Sequence, residues 1–215
     1  NLTIDEAGFA KALDEQKNRS RAATALSVDD WIIISDNKSE FVGYQNNEVN
    51  TSITKYRKVN AKGKDQYQIV LEKTPFYAES GGQAGDTGQL TVGGLTLKVI
   101  DTQKENDLII HVVDRLPEDL QGTVNAQVNS QRRESTSQNH SATHLMHAAL
   151  HQVVGGHALQ KGQSVDNKRL RFDFSHYEKV TDKELAKIEQ LVNEKIRKNI
   201  ALDERRNVPI AEAKD

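Results

Sequence analysis

The stretch QLTVGGLTLKVI, residues 89–100, holds two short runs rich in leucine and β-branched residues on either side of a glycine pair. Runs of this composition, bounded by turn residues, favour β-strands. Gly93 and Gly94 can take the positive φ values that a two-residue turn requires, because glycine has no Cβ to clash with the backbone. The stretch therefore predicts a β-hairpin.

Similar short runs extend on both sides of this hairpin, from about residue 28 to Asn129, and turn residues separate them. About eight such runs occur within about one hundred residues, with no helical periodicity between them. This spacing is typical of a small antiparallel barrel or sandwich. The runs are WIIIS, EFVGY, TSITKYRKV, QYQIVLEKT, QLTV, LTLKVI, LIIHVVD and TVNAQVN.

Helical patterns lie before and after the β-rich region, so the chain is predicted to be α+β. Near the N-terminus, Thr3 and Glu6 form a capping-box pattern ahead of an amphipathic stretch that includes Phe9. After residue 129 a helical histidine-rich stretch, the alternating run RLRFDF and a second capping box at Thr181 and Glu184 follow in order. The buried stripe predicted for that last helix is Leu185, Ile188, Leu191, Val192 and Ile196.

Composition limits the classes of protein to which the chain could belong. Its 215 residues carry a formal net charge of −2, which excludes binding to polyanions through bulk charge alone but leaves room for local basic patches. The absence of cysteine excludes disulfides and thiolate metal ligands and favours a cytosolic protein. No apolar run reaches membrane-spanning length, and the N-terminus resembles no signal peptide. Because the chain starts at Asn1 without methionine, we expect it to be part of a longer protein.

Four of the seven histidines lie in NHSATHLMHAALH, residues 139–151, at spacings that place them along one stripe of a helix. Two histidines four residues apart can converge on one zinc ion. A metalloprotease would have glutamate after the first histidine, but Ser141 stands there. The pattern leaves open a metal site or a polar helix edge, with Asp173 and His176 as candidates for further ligands. The four histidines are His140, His144, His147 and His151.

A second unusual stretch is TPFYAESGGQAGDTG, residues 74–88. Its four glycines with an acid at each end could cradle a phosphate through backbone amides. The Lys-Ser/Thr pair of the common phosphate loop is absent, however, so a series of tight turns between strands is the stronger interpretation. Tight turns alone do not explain the polar side chains Glu79, Ser80 and Gln83 among the glycines.

Two groups of basic residues follow the histidines. Most such groups are solvated faces, but groups that flank a site could hold a nucleic-acid backbone through phosphate contacts. They are Lys161, Lys168, Arg169 and Arg171 in the first group, and Lys195, Arg197, Lys198, Arg205 and Arg206 in the second.

Taken together, TPFYAESGGQAGDTG, NHSATHLMHAAL, QKGQSV, RLRFDFSH and VNEKIRKN resemble, in that order, the editing region of alanyl-tRNA synthetases. Free-standing alanyl-tRNA editing proteins share this unit, and threonyl-tRNA synthetase has a related one. The resemblance implies a connector helix over residues 1–27, a glycine-motif β-barrel over 28–129, and an α/β editing subdomain over 130–215. It also implies that this last subdomain is incomplete at its C-terminal end.

The resemblance implies hydrolysis of mischarged Ser-tRNA(Ala) or Gly-tRNA(Ala) by a cytoplasmic enzyme of protein biosynthesis, whose whole-length form also binds ATP. Family zinc is held by the helix pair, here His140 and His144, together with a later cysteine and histidine that we expect beyond Asp215. The motif glutamine that lies near the amino-acid hydroxyl falls on Gln83, and Thr143 is a second candidate for that role. An inactive tRNA-binding or structural segment and a free-standing trans-editing protein are the alternatives.

Overall fold

A computed structural model describes residues 5, 8–9, 11–13, 15–16, 26–61, 63–201, 203, 205 and 208–212. The chain divides into two compact units, Asn1–Thr136 and Ser137–Asp215. This division falls within a helix, a few residues beyond the boundary expected at Asn129. Mixed α+β structure is confirmed.

One antiparallel sheet dominates the first unit, with its strands in the order β1-β5-β6-β10-β9-β8-β11-β4 and with β2 paired to β5. β3 and β7 form a separate parallel pair. Among the described residues this order is an open path, since no pairing joins β4 to β1, so the closed barrel stays a prediction. The strands are β1 Leu26–Val28, β2 Ile32–Ile33, β3 Glu40–Phe41, β4 Glu48–Thr51, β5 Ile53–Ala61, β6 Lys64–Leu71, β7 Lys73–Thr74, β8 Gly88–Val92, β9 Leu95–Glu105, β10 Leu108–Val113 and β11 Val124–Val128.

The hairpin predicted at residues 89–100 is confirmed. β8 ends at Val92, β9 begins at Leu95, and these two residues pair directly across the turn. Gly93 and Gly94 have φ values of 54° and 84°, the left-handed region that a two-residue turn of this kind needs.

The main hydrophobic core lies in the first unit and follows from strand alternation. In β11, for example, Val124, Ala126 and Val128 are buried, whereas the residues between them are partly exposed. The core residues are Ile53, Ile69, Leu71, Phe76, Leu90, Val92, Leu97, Val99, Val113, Val124, Ala126 and Val128.

The polar side chain of His111 lies beside this core, fully buried and hydrogen-bonded at both ring nitrogens. Nδ1 lies 3.0 Å from the carbonyl of Ile69, so it carries the proton and donates. The Thr74 hydroxyl therefore donates to Nε2, at 2.7 Å, and accepts from the backbone N–H of Phe76 at 3.1 Å. Burial lowers the pKa of His111 to about 4. A neutral histidine thus anchors the segment that enters the glycine motif.

Helix α1, Ser130–Val153, continues from the first unit into the second, where β12 Gln160–Val165, β13 Leu170–Phe174 and α2 Asp182–Arg197 follow. The capping box predicted for α2 is confirmed, because Thr181 accepts from the Glu184 N–H and the Glu184 carboxylate accepts from the Thr181 N–H. None of the helices among the described residues is long and apolar enough to cross a membrane.

A second core packs the middle of α2 against α1 and the β12–β13 hairpin. Ile188 is buried and Leu191 and Val192 are partly buried in it, as predicted. Leu185 and Ile196, however, are 52% and 53% exposed, so their predicted burial is wrong. The cluster covers only the central turns of the helix, which leaves the apolar positions near both ends in solvent.

The helix predicted near the N-terminus is seen at residues 8–9, 11–13 and 15–16, where Phe9 and Leu13 are exposed. The predicted capping pair, Thr3 and Glu6, lies outside the described residues.

Candidate functional site

His140 and His144 lie one turn apart on α1 in the second unit, with their rings 5.1 Å apart between centroids and nearly parallel at 11°. His140 is half-buried and His144 is exposed. Partial burial lowers the pKa of the His140 imidazole, and the neighbouring His144 lowers it further. A lowered pKa favours the neutral imidazole, which is the form that binds a metal ion.

These two side chains fit half of a zinc site. Imidazoles at this spacing are suitable ligands, but near-parallel rings do not point their lone pairs at one ion. A rotation about χ2, a soft torsion for histidine, would make them converge. The described residues contain no group of three or more His, Cys, Asp or Glu that could hold a metal ion. The other ligands of a tetrahedral site therefore do not come from the described residues.

The candidates for further ligands, Asp173 and His176, are engaged with other residues. His176 Nδ1 lies 2.9 Å from Nε2 of His157, and the two rings stack. Asp173 forms an ion pair with Arg171, with 3.2 Å between Nε and Oδ2. Neither residue joins the helix pair in a metal-binding group within the described part of the chain.

Of the remaining histidines of the stripe, His147 contacts a residue of the second core and His151 contacts His147. Their rings are 4.4 Å apart, and His147 also contacts Phe172 at 5.0 Å. His151 Nε2 donates to the carbonyl of Ala158 at 3.1 Å. Burial, followed by the charges of its histidine neighbours, lowers the pKa of His147. These contacts favour a structural role for His147 and His151.

Thr143 lies between the two candidate ligands in sequence but is almost completely buried, at 1% exposure. Its hydroxyl donates to the backbone carbonyl of Asn139, at 2.9 Å. The same Asn139 uses its side-chain amide to hold the carbonyl of Asp166, at 2.7 Å. Thr143 thus has one role in the helix already, and its part in substrate recognition stays a prediction.

Gln83, in the first unit, ends a tight two-residue turn. Ser80 and Gln83 pair across the turn through two backbone hydrogen bonds of 3.2 and 3.0 Å. Gly81 and Gly82 between them have φ values of 58° and 80°, which non-glycine residues rarely adopt. The turn fixes the Gln83 backbone, and Gln83 is buried, with a relative exposure of 7%.

Another motif glycine, Gly85, is explained by close packing. A Cβ at Gly85 would come within 2.0 Å of the carbonyl oxygen of Thr102 in β9. The Thr102 hydroxyl in turn donates to the carbonyl of Asp86, at 2.8 Å. The motif thus lies directly against strand β9 at this point.

Asp86, the acid that follows these glycines, is buried against Arg133 in the first turns of α1. The arginine Nε donates to both carboxylate oxygens at 3.0 and 2.8 Å, and Nη2 donates to Oδ2 as well. The N–H of Tyr77 also donates to Oδ2, at 2.7 Å. Arg133 reaches the carbonyls of Gly43 and Pro75 at 3.0 and 2.7 Å. We define these contacts as the Asp86 clamp, which joins the motif, the helix and two loops.

The basic residues singled out from the sequence are solvated side chains. Arg171 and Lys198 form exposed ion pairs on their own elements, and such pairs contribute little to stability. The exposed members are Lys161, Lys168, Arg169, Arg171, Lys195, Arg197, Lys198 and Arg205, while Arg206 lies outside the described residues.

Comparison with known proteins shows the family to which the chain belongs. The family model of class II tRNA synthetases (A) matches residues 1–133, which is more than half of the chain. The chain belongs to the class II tRNA synthetase (A) family. Its similarity to individual members extends further than the family model, over essentially every residue.

Three alanine–tRNA ligases illustrate this similarity to the tRNA synthetase family. The enzyme of Cytophaga hutchinsonii is 58% identical over 99% of this chain and 24% of its own length. Those of Bacteroides fragilis and Flavobacterium psychrophilum are 51% and 50% identical over 100% and 99% of this chain, and over 24% and 25% of their own lengths. The chain thus spans about a quarter of the length of these curated relatives.

Proposed function

We propose that this chain supplies the editing activity of an alanine–tRNA ligase, the hydrolysis of mischarged Ser-tRNA(Ala) or Gly-tRNA(Ala) in the cytoplasm. The observation that carries the proposal is the His140–His144 pair, two imidazoles one helical turn apart at a half-exposed position. The similarity to alanine–tRNA ligases over the whole chain supports tRNA(Ala) as the partner.

In the proposed reaction, water attacks the ester carbon that joins the amino acid to the tRNA ribose, and the ribose oxygen leaves with a proton. An ester needs less activation than an amide, so positioning supplies much of the rate enhancement. His140 and His144 would hold a zinc ion through one ring nitrogen each, with two further ligands from outside the described residues. Zinc, when bound, lowers the pKa of water or fixes the tRNA 3′ end.

Gln83 would distinguish serine from alanine through the serine hydroxyl. An amide side chain can donate to and accept from a hydroxyl without introducing a charge. The backbone of Gln83 is fixed by the glycine turn, which supports its use as a positioned recognition group. A site that binds the hydroxyl discriminates against alanine because its polar groups would otherwise be left unpaired.

The test is deacylation of Ser-tRNA(Ala) and Ala-tRNA(Ala) by this chain and by a version that is extended past Asp215. We expect the extended protein to hydrolyse Ser-tRNA(Ala) preferentially. His140→Gln with His144→Gln should reduce that rate at least about a hundredfold, within the range that loss of a catalytic group produces.

A matched control is available on the same helix. His147→Gln with His151→Gln changes a second pair at the same spacing, in which His147 contacts Phe172 and His151 bonds to the carbonyl of Ala158. This control should retain hydrolysis if the folded protein is recovered. Equal losses in the two double variants would contradict the proposed metal pair. Tight tRNA binding without hydrolysis by the extended protein would favour the alternative of an inactive tRNA-binding segment.

A further inference from the structure

A cleft in the first unit is not used by the proposed hydrolysis. It has a volume of about 310 Å³ and lies beside the glycine turn. Three aromatic rings form part of its lining: Phe41 makes edge contacts with Tyr44 at 5.0 Å and with Tyr77 at 6.1 Å. Tyr44 as a whole residue is 65% exposed, which is a large fraction for an aromatic residue in contact with others. We define this site as the aromatic cleft.

The walls of the aromatic cleft are fixed by the surrounding structure. Gly43, between two of the aromatic residues in sequence, approaches Pro75 so closely that a Cβ would lie 2.3 Å from its carbonyl oxygen. Arg133 donates to both the Gly43 and the Pro75 carbonyls. The backbone N–H of Tyr77 is held by Asp86. The clamp therefore orders the cleft before any ligand binds, which reduces the entropic cost of binding.

Polar groups in the lining are suited to a ligand with hydrogen-bonding edges and a charge. The Ser39 hydroxyl is buried and has no hydrogen-bond partner among the described residues. Lys104 and Asp107 contribute one charge of each sign. A ligand in the cleft would meet the charges of Lys104 and Asp107, whereas the Ser39 oxygen is closed off from solvent.

A second hollow of about 330 Å³ adjoins the aromatic cleft and shares Ser39 and Asp107 with it. Its lining adds Lys38, Lys55 and Asp36. The lining of both hollows together therefore contains three lysines and two aspartates, which is a small excess of positive charge. Two neighbouring hollows suit an extended ligand better than a single small molecule.

We infer that the aromatic cleft binds an unpaired nucleotide of an RNA strand, with its base stacked on Tyr44 and the strand continuing into the adjoining hollow. Unpaired RNA is recognised by stacking of splayed bases on aromatic side chains, together with hydrogen bonds to base edges. The choice of RNA as the occupant rests on the proposed function, since tRNA is its substrate. The small net charge of the lining means that stacking, rather than phosphate contacts, supplies most of the affinity.

The experiment measures fluorescence anisotropy of a labelled single-stranded hexacytidylate with the intact chain at low salt. Loss of one stacking partner costs roughly 1–3 kcal/mol, so Tyr44→Ala should weaken binding about 5- to 150-fold, while Tyr44→Phe retains it. Tyr177→Ala is the matched control, because Tyr177 is also an exposed tyrosine but lies in the second unit. It should bind like the unmodified chain. Raising the salt concentration should weaken binding only modestly.

Three results would overturn the inference: no binding by the unmodified chain, unchanged binding by Tyr44→Ala, or an equal loss in Tyr177→Ala. Cytidine monophosphate distinguishes a strand from a free nucleotide, and competition as effective as that of the hexamer would assign the cleft to mononucleotides instead. The probe carries no aminoacyl ester. A negative result here therefore leaves the hydrolysis assay unaffected, and loss of hydrolysis leaves this binding measurement unaffected.

Discussion

Asp86 in the first unit and His144 in the second both belong to sequence motifs that suggested chemistry, but their surroundings differ. Asp86 is 5% exposed and is held by an arginine and a backbone N–H. His144 is exposed, and its ring lies against another imidazole. A buried polar group with good partners stabilises a fold, whereas an exposed ligand pair is available to a metal ion. The comparison predicts that a change at Asp86 acts mainly on stability, whereas a change at the helix pair acts mainly on metal binding.

The largest expected effect follows from breaking the Asp86 clamp. Asp86→Ala leaves the Arg133 guanidinium, whose side chain is 15% exposed, without its carboxylate. Removal of one partner from a buried ion pair typically destabilises a protein by about 3–5 kcal/mol. For a domain of this size we expect Tm to fall by about 10 °C, measured by circular dichroism. Asp65→Ala is the control, because its ion pair with Lys58 is exposed and its loss should change Tm little. Similar shifts in both variants would contradict the assigned role of the clamp.

The next effect concerns the helix pair. Cobalt, whose spectrum reports the ligands, should bind this chain weakly, because only two protein ligands are supplied by the described residues. His144→Ala should reduce that affinity by about a hundredfold with little change in Tm, since a chelating pair becomes a single ligand. His151→Ala provides the control on the same helix. Retention of a full equivalent of metal after dialysis would contradict the expected weak binding and would mean that further residues complete the site. A large loss of stability in His144→Ala would instead place the pair with the structural histidines.

The difference between local and long-range contacts explains what could be predicted from the sequence. The Gly93-Gly94 hairpin and the Thr181 cap of α2 depend on residues within a few positions of each other, and both were predicted correctly. β4, Glu48–Thr51, carries a polar sequence and exists because it pairs with β11, more than seventy residues away. No local pattern signals such a strand.

The candidate site shows the same limit. Spacing on one helix identified His140 and His144 as neighbours, and the structure places their rings side by side. Asp86 and Arg133 were not recognised as partners. They are 47 residues apart, and no local sequence pattern indicates that they pair. The one available signal was an acid directly after a run of glycines, which the sequence alone could assign to a ligand as readily as to an ion pair.

A pH experiment tests the role of the buried His111 in the stability of the first unit. Burial lowers the pKa of His111 to about 4, below the usual value of 6.5. Between these pH values the unfolded chain binds a proton that the folded chain excludes, so stability is lost as pH falls through this window and is complete above it. At pH 5 the loss should be about 2 kcal/mol. Urea unfolding at pH 7 and pH 5 measures it, with His111→Gln as the control that hydrogen-bonds without titrating. Equal pH dependence in both proteins would contradict this prediction.

The smallest predicted effect concerns Gln83, where a buried residue of the first unit is proposed to act on substrate. Loss of one hydrogen bond to the serine hydroxyl costs about 1.4 kcal/mol, so Gln83→Ala should slow Ser-tRNA(Ala) hydrolysis about tenfold in the extended protein. Gly-tRNA(Ala) has no hydroxyl to recognise and should be affected less. Because Gln83 is only 7% exposed, its removal could also loosen the Ser80–Gln83 turn, but a loosened turn would slow both substrates equally. The ratio of the two deacylation rates in one variant therefore separates recognition from structure, and an unchanged ratio would return Gln83 to the structural residues of the first unit.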